Sequence, residues 1–385
     1  VPVVGGYAVM NDVVSPGAAR LFDGQHWHEN AALRIEAGRV VEVCPAADPQ
    51  VDMLVPGFVD LQVNGGGGVQ FNEAPTPEAL AQIVEAHRAG GTTALLATLI
   101  TDTPGITAAA IAATRAARAA GQEGLAGLHL EGPHLDPRRK GTHAPGLIRP
   151  MEQGDLDAIL AAAPDCGHLL VTLAPEAATA QQIAALVAGG VQVSLGHSDC
   201  TAEEASLAFA AGASMVTHLF NAMSQLGHRA PGLVGAALAA PSVHVGLIAD
   251  GFHVADIAMQ VALRGKAGPG RVFLVSDAMA ATGSELTQIT LNGRTIHRAG
   301  GRLTLADGTL AGADITLLDA VRYCHYQLGL ALDEALRMAA LYPAEAAGLA
   351  GKGHLGRGAD ADFLLMDKDL RLTSLWVAGK ERWAA

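Results

Sequence analysis

Cysteine is scarce in this chain: 4 in 385 residues, at Cys44, Cys166, Cys200 and Cys324, far apart and without a CxxC pair. That excludes a disulfide framework and suggests reduced, mostly core thiols in a cytoplasmic protein. Basic residues are also in the minority. The 25 Lys and Arg against 38 Asp and Glu leave a net charge of −13, which excludes a general nucleic-acid binder with a phosphate-neutralising face. Small anionic substrates stay open, because local basic residues act inside acidic proteins. No apolar run reaches the roughly 18 residues of a membrane span, and no signal peptide is read ahead of the fold. The start at Val1 is compatible with trimming or processing. What is abundant is apolar: half the residues are hydrophobic and only 16% are charged. That supports a large core, in a chain too long for one ordinary compact domain unless it is an α/β barrel with an accessory part.

The middle of the chain repeats a pattern. Short apolar, β-branched runs at 54–64, 92–101, 124–132, 168–176, 191–198, 213–221, 243–251 and 271–278 alternate with Ala-rich helical segments. Continuous apolar strands alternating with helices predict a parallel sheet covered on both faces, and eight such units predict a (β/α)8 barrel, with its chemistry at the C-terminal strand ends. Polar residues fall at those ends: Gln62 and Asn64, Glu131, His197, His218, Asp250 with His253, and Asp277. A doubly wound open sheet is the rival, but it would not bring ends from both halves of the chain to one centre.

Residues 1–53 and 355–385 alternate like half-exposed strands and predict a small β-sandwich domain built from both termini, around a barrel spanning 54–354. The segment 285–312 carries Asn-Gly and Asp-Gly turns and reads as a β-hairpin inserted after the last barrel strand, with helices filling 313–350. The glycines after Asn64 lack GxGxxG spacing and read as a tight loop beside the site.

In "LHLEGPHLDPRRKGTHAPG", Glu131 ends a buried run, where a carboxylate needs a partner or a metal. His197 and His218 close runs one βα unit apart. With Glu131 and a water they make a zinc- or iron-type shell of one carboxylate and two imidazoles. Asp277 is the candidate acid–base carboxylate, and His253 is expected as a neutral donor to a substrate carbonyl. Arg229 suits phosphate or carboxylate, the Arg138–Lys140 run reads as a solvated loop, and His134 as a loop histidine.

The stretches "PGFVDLQVNGGGGVQFN", "GLHLEGPHLDPRRKGTHAPG", "VSLGHSD", "THLFNAMSQLGHRAPG", "IADGFHV" and "LVSDAMAATG" resemble, in wording and order, the N-acetylglucosamine-6-phosphate deacetylase family of the amidohydrolase superfamily. The resemblance implies metal ligands at Glu131, His197 and His218, an acid–base role for Asp277 and a carbonyl contact for His253. It implies substrate contacts at Thr142, His143, Asn221, Ala222 and Arg229, with Leu310, Ala311 and Gly312 closing over the sugar. It further implies a homodimer in which Arg229 crosses to the neighbouring site. Gln62 and Asn64 stand where many superfamily members carry an HxH pair, which suits one main divalent ion (zinc, or else iron or manganese) and leaves a second in doubt. The activity implied is release of acetate from N-acetylglucosamine 6-phosphate. The rival readings are an amidohydrolase acting on a cyclic or amino-acid amide, and an inactive barrel kept as a scaffold.

Overall fold

Hydroxyl caps decide where the helices of the repeating unit begin. Thr76 and Thr103 accept the backbone N–H of Ala79 and Ile106, and Pro77 and Pro104 occupy the first helical turn, where a missing N–H costs nothing. Thr179 and Thr201 form reciprocal capping boxes with Gln182 and Glu204. Each cap stops the loop that leaves a strand and turns the chain into the helix covering that strand's outer face. The computed structural model describes residues 13–385; residues 1–12 of the expected terminal domain lie outside the described residues.

The barrel strands are Phe58–Val63, Thr92–Ile100, Leu125–Glu131, His168–Leu173, Gln192–Leu195, Met215–Val216, His244–Leu247 and Val272–Leu274. Neighbours in sequence are neighbours in space, all parallel. The first two strands are buried at every residue, as a sheet packed on both faces requires. The ring closes just beyond the eighth strand: Asp277 N–H donates to the Gln62 carbonyl (3.0 Å), and Asn64 N–H to that of Ala278 (2.8 Å). An open doubly wound sheet is thereby ruled out, and the expected (β/α)8 barrel is the architecture.

A layer of buried hydroxyls crosses the barrel interior beneath the mouth. His129 bonds Thr98 (3.3 Å) and Thr172 (2.7 Å), and Thr172 and Ser194 each lie 2.6 Å from the Thr217 hydroxyl. Burial drives the His129 pKa down to about 4, so the ring is neutral.

The run at 54–64 divides into two strands at Gly57. Val51–Pro56 belongs to an eight-stranded sheet that also takes in Val13–Val14, Ala18–Phe22, Trp27–Glu36, Arg39–Pro45 and the C-terminal strands Phe363–Met366, Leu372–Val377 and Lys380–Ala384. Val51–Pro56 pairs antiparallel with Phe363–Met366, and a cluster including Leu21, Leu33, Ile35, Leu54 and Phe363 forms this sheet's own core. The inserted segment is a four-stranded meander, Gln288–Leu291, Arg294–Ala299, Arg302–Thr304 and Leu310–Ala313. Its first turn has Asn292 and Gly293 at positive φ (48° and 71°), and a second uses Gly300–Gly301, a signal the Asn-Gly and Asp-Gly count leaves out. Ile289, Leu291, Ile296 and Leu303 of the meander pack on Ile100 and Met279 beside the barrel mouth. Among the described residues no helix is long and apolar enough to cross a membrane.

Gly127, in the third strand, is a tight point: a Cβ there would lie 1.9 Å from the His168 carbonyl oxygen. Gly127→Ala is expected to destabilise the barrel by about 3 kcal/mol. Gly154→Ala, at an exposed helical position with open space around it, should stay within about 0.5 kcal/mol of the parent. Denaturant unfolding of the two variants checks the contrast.

Candidate active site and metal centre

Glu131 is the last residue of the third barrel strand, and His197 and His218 follow the fifth and sixth. Their ligand atoms form a small triangle: His218 Nε2 lies 3.1 Å from Glu131 Oε1 and 3.1 Å from His197 Nε2, and His197 Nε2 lies 3.3 Å from Glu131 Oε1. Ligands about 2.0–2.1 Å from a tetrahedral ion stand roughly 3.3 Å apart, so the triangle has the size of one face of such a site. His197 Nδ1 donates to the Arg139 carbonyl (2.8 Å), which puts the ring proton on Nδ1 and leaves Nε2 bare, as a ligand must be. Burial opposes charge on Glu131, but the imidazoles of His197 and His218 packed against it outweigh burial and hold the carboxylate well below its usual range.

His143 also approaches; Glu131, His143 and His197 offer atoms within 4.8 Å of one another. It is the weaker ligand candidate. Its Nε2 is 3.8 Å from Glu131 Oε2, further out than the atoms of the triangle, and its Nδ1 lies 2.7 Å from the Thr101 hydroxyl and 3.3 Å from Thr101 N–H.

Asp277 lies beside the triangle. Its Oδ1 accepts from Asn64 Nδ2 (2.7 Å) and Gln62 Nε2 (3.1 Å), and the same Gln62 nitrogen is 3.0 Å from Glu131 Oε1. Burial, and then the Glu131 charge, push the Asp277 pKa up to about 6. A cation bound to Glu131 would offset the second of these causes. Deeper in the barrel, burial lifts Asp60 to about 7, with its Oδ1 accepting from the backbone N–H of Gln62 and Ser276.

Three of these groups stand on left-handed backbone, at φ 48° for His197, 31° for His218 and 49° for Asp277. Non-glycine residues enter that region at a cost, and such outliers gather at functional sites. Gly141, at φ +53°, packs on His197, where a Cβ would come within 3.2 Å of its ring.

The triangle and Asp277 open onto a cavity of about 330 Å³. Thr142, His143, Asn221, Ala222, Leu310 and Gly312 line it, and so do His253 and Asn64. Ala311 is fully buried in the meander core and Arg229 is exposed, and neither is among the lining residues. Arg138 and Arg139 do line it, while pairing with Asp199 at 3.2 and 2.6 Å. His134 lies apart, bonded to the Arg149 carbonyl (3.2 Å) and lining a separate cavity.

Asp250 acquires a role that strand-end polarity alone did not assign. It accepts from the backbone N–H of Phe252 and His253 and takes the His253 Nδ1 proton at 2.6 Å. The Asp-x-x-His spacing of a side-chain-capped turn is the signal that could have found it. A neutral His253 therefore turns a bare Nε2 outward. Donation to a carbonyl from this ring needs a proton on Nε2.

Residues 53–382 match the model of the amidohydrolase family, and the chain belongs to that family. It is 42% identical over 327 residues, 85% of this chain and 82% of the relative, to an N-acetylgalactosamine-6-phosphate deacetylase of Shewanella sp. (strain ANA-3). The N-acetylglucosamine-6-phosphate deacetylase of Pasteurella multocida superposes with TM-score 0.91 at 32% identity, covering 97% of this chain and 100% of that one. An aspartate-to-alanine variant of the Mycobacterium smegmatis enzyme, in complex with N-acetyl-D-glucosamine 6-phosphate, superposes with TM-score 0.88 at 34% identity, covering 96% and 99%.

Purified protein should hold close to one divalent ion per chain. Glu131→Gln keeps the side chain's shape and removes its charge, and is expected to weaken ion binding by at least about 100-fold in chelator competition.

Proposed function

We propose that this chain removes acetate from N-acetylglucosamine 6-phosphate, leaving glucosamine 6-phosphate, with one divalent ion held by Glu131, His197 and His218. Zinc suits the triangle and its donor set; iron and manganese take the same donors. The observation that carries the reading is the Asp277 carboxylate, held by two amides beside that triangle at the floor of a sugar-sized cavity. Gln62 Nε2 donates to both carboxylates, so that nitrogen offers no ligand atom, which favours a single ion.

When bound, the ion lowers the pKa of a water toward neutrality and draws charge from the acetamide carbonyl. Asp277 takes a proton from the attacking water and returns it to the departing nitrogen as the C–N bond breaks, so the products are acetate and the amine. Oδ1 is occupied by Asn64 and Gln62, so the proton travels on Oδ2. His253, anchored through Nδ1 by Asp250 and lining the cavity, supplies the polar contact to the oxygen on which negative charge develops. His143 and Thr142, whose hydroxyl is buried without a partner among the described residues, supply polar contacts to the sugar, with Asn221 and Ala222 beside them.

Arg229 is exposed, on a loop with exposed Leu226 (52%), and Ile257 (77%) and Val261 (51%) stand out from the helix Asp256–Gly265. These fit a second copy of the chain covering this face, with Arg229 crossing to bind the neighbour's phosphate. The free cysteines, three of them buried, fit a reducing cytoplasm.

The 42% identical relative supports a second reading, in which the substrate is the C4 epimer, N-acetylgalactosamine 6-phosphate. Acetate release from the two sugar phosphates at equal concentration tells them apart, and release from neither sinks both. Asp277→Asn is expected to lower kcat by about 10²–10⁴-fold with ion content retained. Arg229→Ala should raise KM for the phosphorylated sugar far more than for the plain one, and equal losses would remove it from phosphate binding.

A further inference from the structure

We infer that Asn64 accepts the N–H of the scissile amide and so makes the site selective for an amide over the matching ester. This deepens the deacetylase reading and rests on it. Asn64 follows directly on the first barrel strand, is 1% exposed and lines the cavity. Its other polar groups are committed. The backbone N–H donates to the Ala278 carbonyl (2.8 Å), the backbone oxygen accepts from Phe71 N–H (2.9 Å) and Gln70 Nε2 (3.1 Å), and Nδ2 donates to Asp277 Oδ1 (2.7 Å). Only Oδ1 is left, buried and without a partner among the described residues. Turning the amide over would press its oxygen against the Asp277 carboxylate, so the bond at Nδ2 fixes where Oδ1 sits. Buried acceptors are rarely left unpaired, and those that are call for an explanation.

The reaction supplies the missing donor. Asp277 protonates the departing nitrogen, so that nitrogen must come next to Asp277, on whose flank Asn64 sits. An acetamide nitrogen carries one hydrogen, and Oδ1 can accept it while Asp277 Oδ2 delivers the second, giving the free amine. An ester oxygen in the same place carries no hydrogen and sets its lone pairs against Oδ1. A site built to bond an N–H rejects the analogue that lacks it more strongly than size alone would. Among the described residues two more cavity-lining residues carry an unpaired polar atom: His218, whose Nε2 belongs to the triangle, and Thr142, which cannot discriminate in this way because a hydroxyl rotates to donate or accept.

The test compares the 2-acetamido sugar 6-phosphate with its 2-acetoxy counterpart, by kcat/KM, in the full-length holoenzyme. Asn64→Ala is expected to lose at least about tenfold more on the amide than on the ester. Asn64→Asp, which keeps an acceptor and loses the donor to Asp277, should slow both while holding the amide-to-ester ratio within about threefold of the parent. Should the alanine variant fail to fold, Asn64→Leu, of similar shape and without polar atoms, takes its place with the same expectation. Parallel losses on both substrates in the apolar variant would overturn the inference, reducing Asn64 to a support for Asp277. A fall in bound metal in that variant would overturn it too, making Oδ1 an ion ligand. A parent enzyme that releases no acetate from the amide refutes the deacetylase reading itself, a result distinct from parallel losses in an active enzyme.

Discussion

Two carboxylates, buried Glu131 and half-buried Asp277, share one barrel mouth with a single amide nitrogen between them, 3.0 Å from one and 3.1 Å from the other. Like charges removed from water repel strongly, so this pairing survives only because cationic or N–H groups crowd around it. His197 and His218 press on Glu131, while Gln62 and Asn64 hold Asp277. Barrel closure makes the pairing unavoidable, since the bonds that join Gln62 and Asn64 to the segment after the eighth strand also bring Asp277 to the first. The ion site, the acid–base group and the candidate amide acceptor are therefore consequences of one seam.

The left-handed backbone at His197, His218 and Asp277 belongs to the same logic. Each residue lies just past a strand, where an extended continuation would carry the side chain away from the barrel axis. The neighbouring backbone holds the turns in place: the His197 carbonyl accepts from Asp136 N–H, Leu219 N–H donates to Gly246, and Ala313 N–H donates to the Asp277 carbonyl. Strain on that scale persists when surrounding bonds over-determine it. The last of these bonds ties Asp277 to the meander, so the inserted strands hold that residue in place as well as lining the cavity.

Much of this was legible in the residues. An apolar run ending in Glu131, His197, His218 or Asp277 announces a strand and the group at its end, because burial and reactivity select opposite residue types. The break at Gly57 was not legible, since Val51–Pro56 and Phe58–Val63 are equally apolar and only their partners differ. The meander had two announced turns, and the third, at Gly300–Gly301, was hidden in a glycine pair with no Asn or Asp. Hydrogen-bond direction lay further out of reach. That Asp250 holds His253 Nδ1, and that Thr101 holds His143 Nδ1, depends on residues far apart in the chain or on a turn geometry that periodicity does not encode.

The strand Val51–Pro56 finds its partner, Phe363–Met366, some three hundred positions later, and Gly57 N–H donates to the Asp362 carbonyl (2.9 Å) at the start of the barrel. During synthesis, the first barrel strand thus emerges attached to a neighbour whose own pairing is still untranslated. The barrel's starting point cannot settle until Phe363–Met366 has left the ribosome, which makes that strand a late fastening of the first barrel strand.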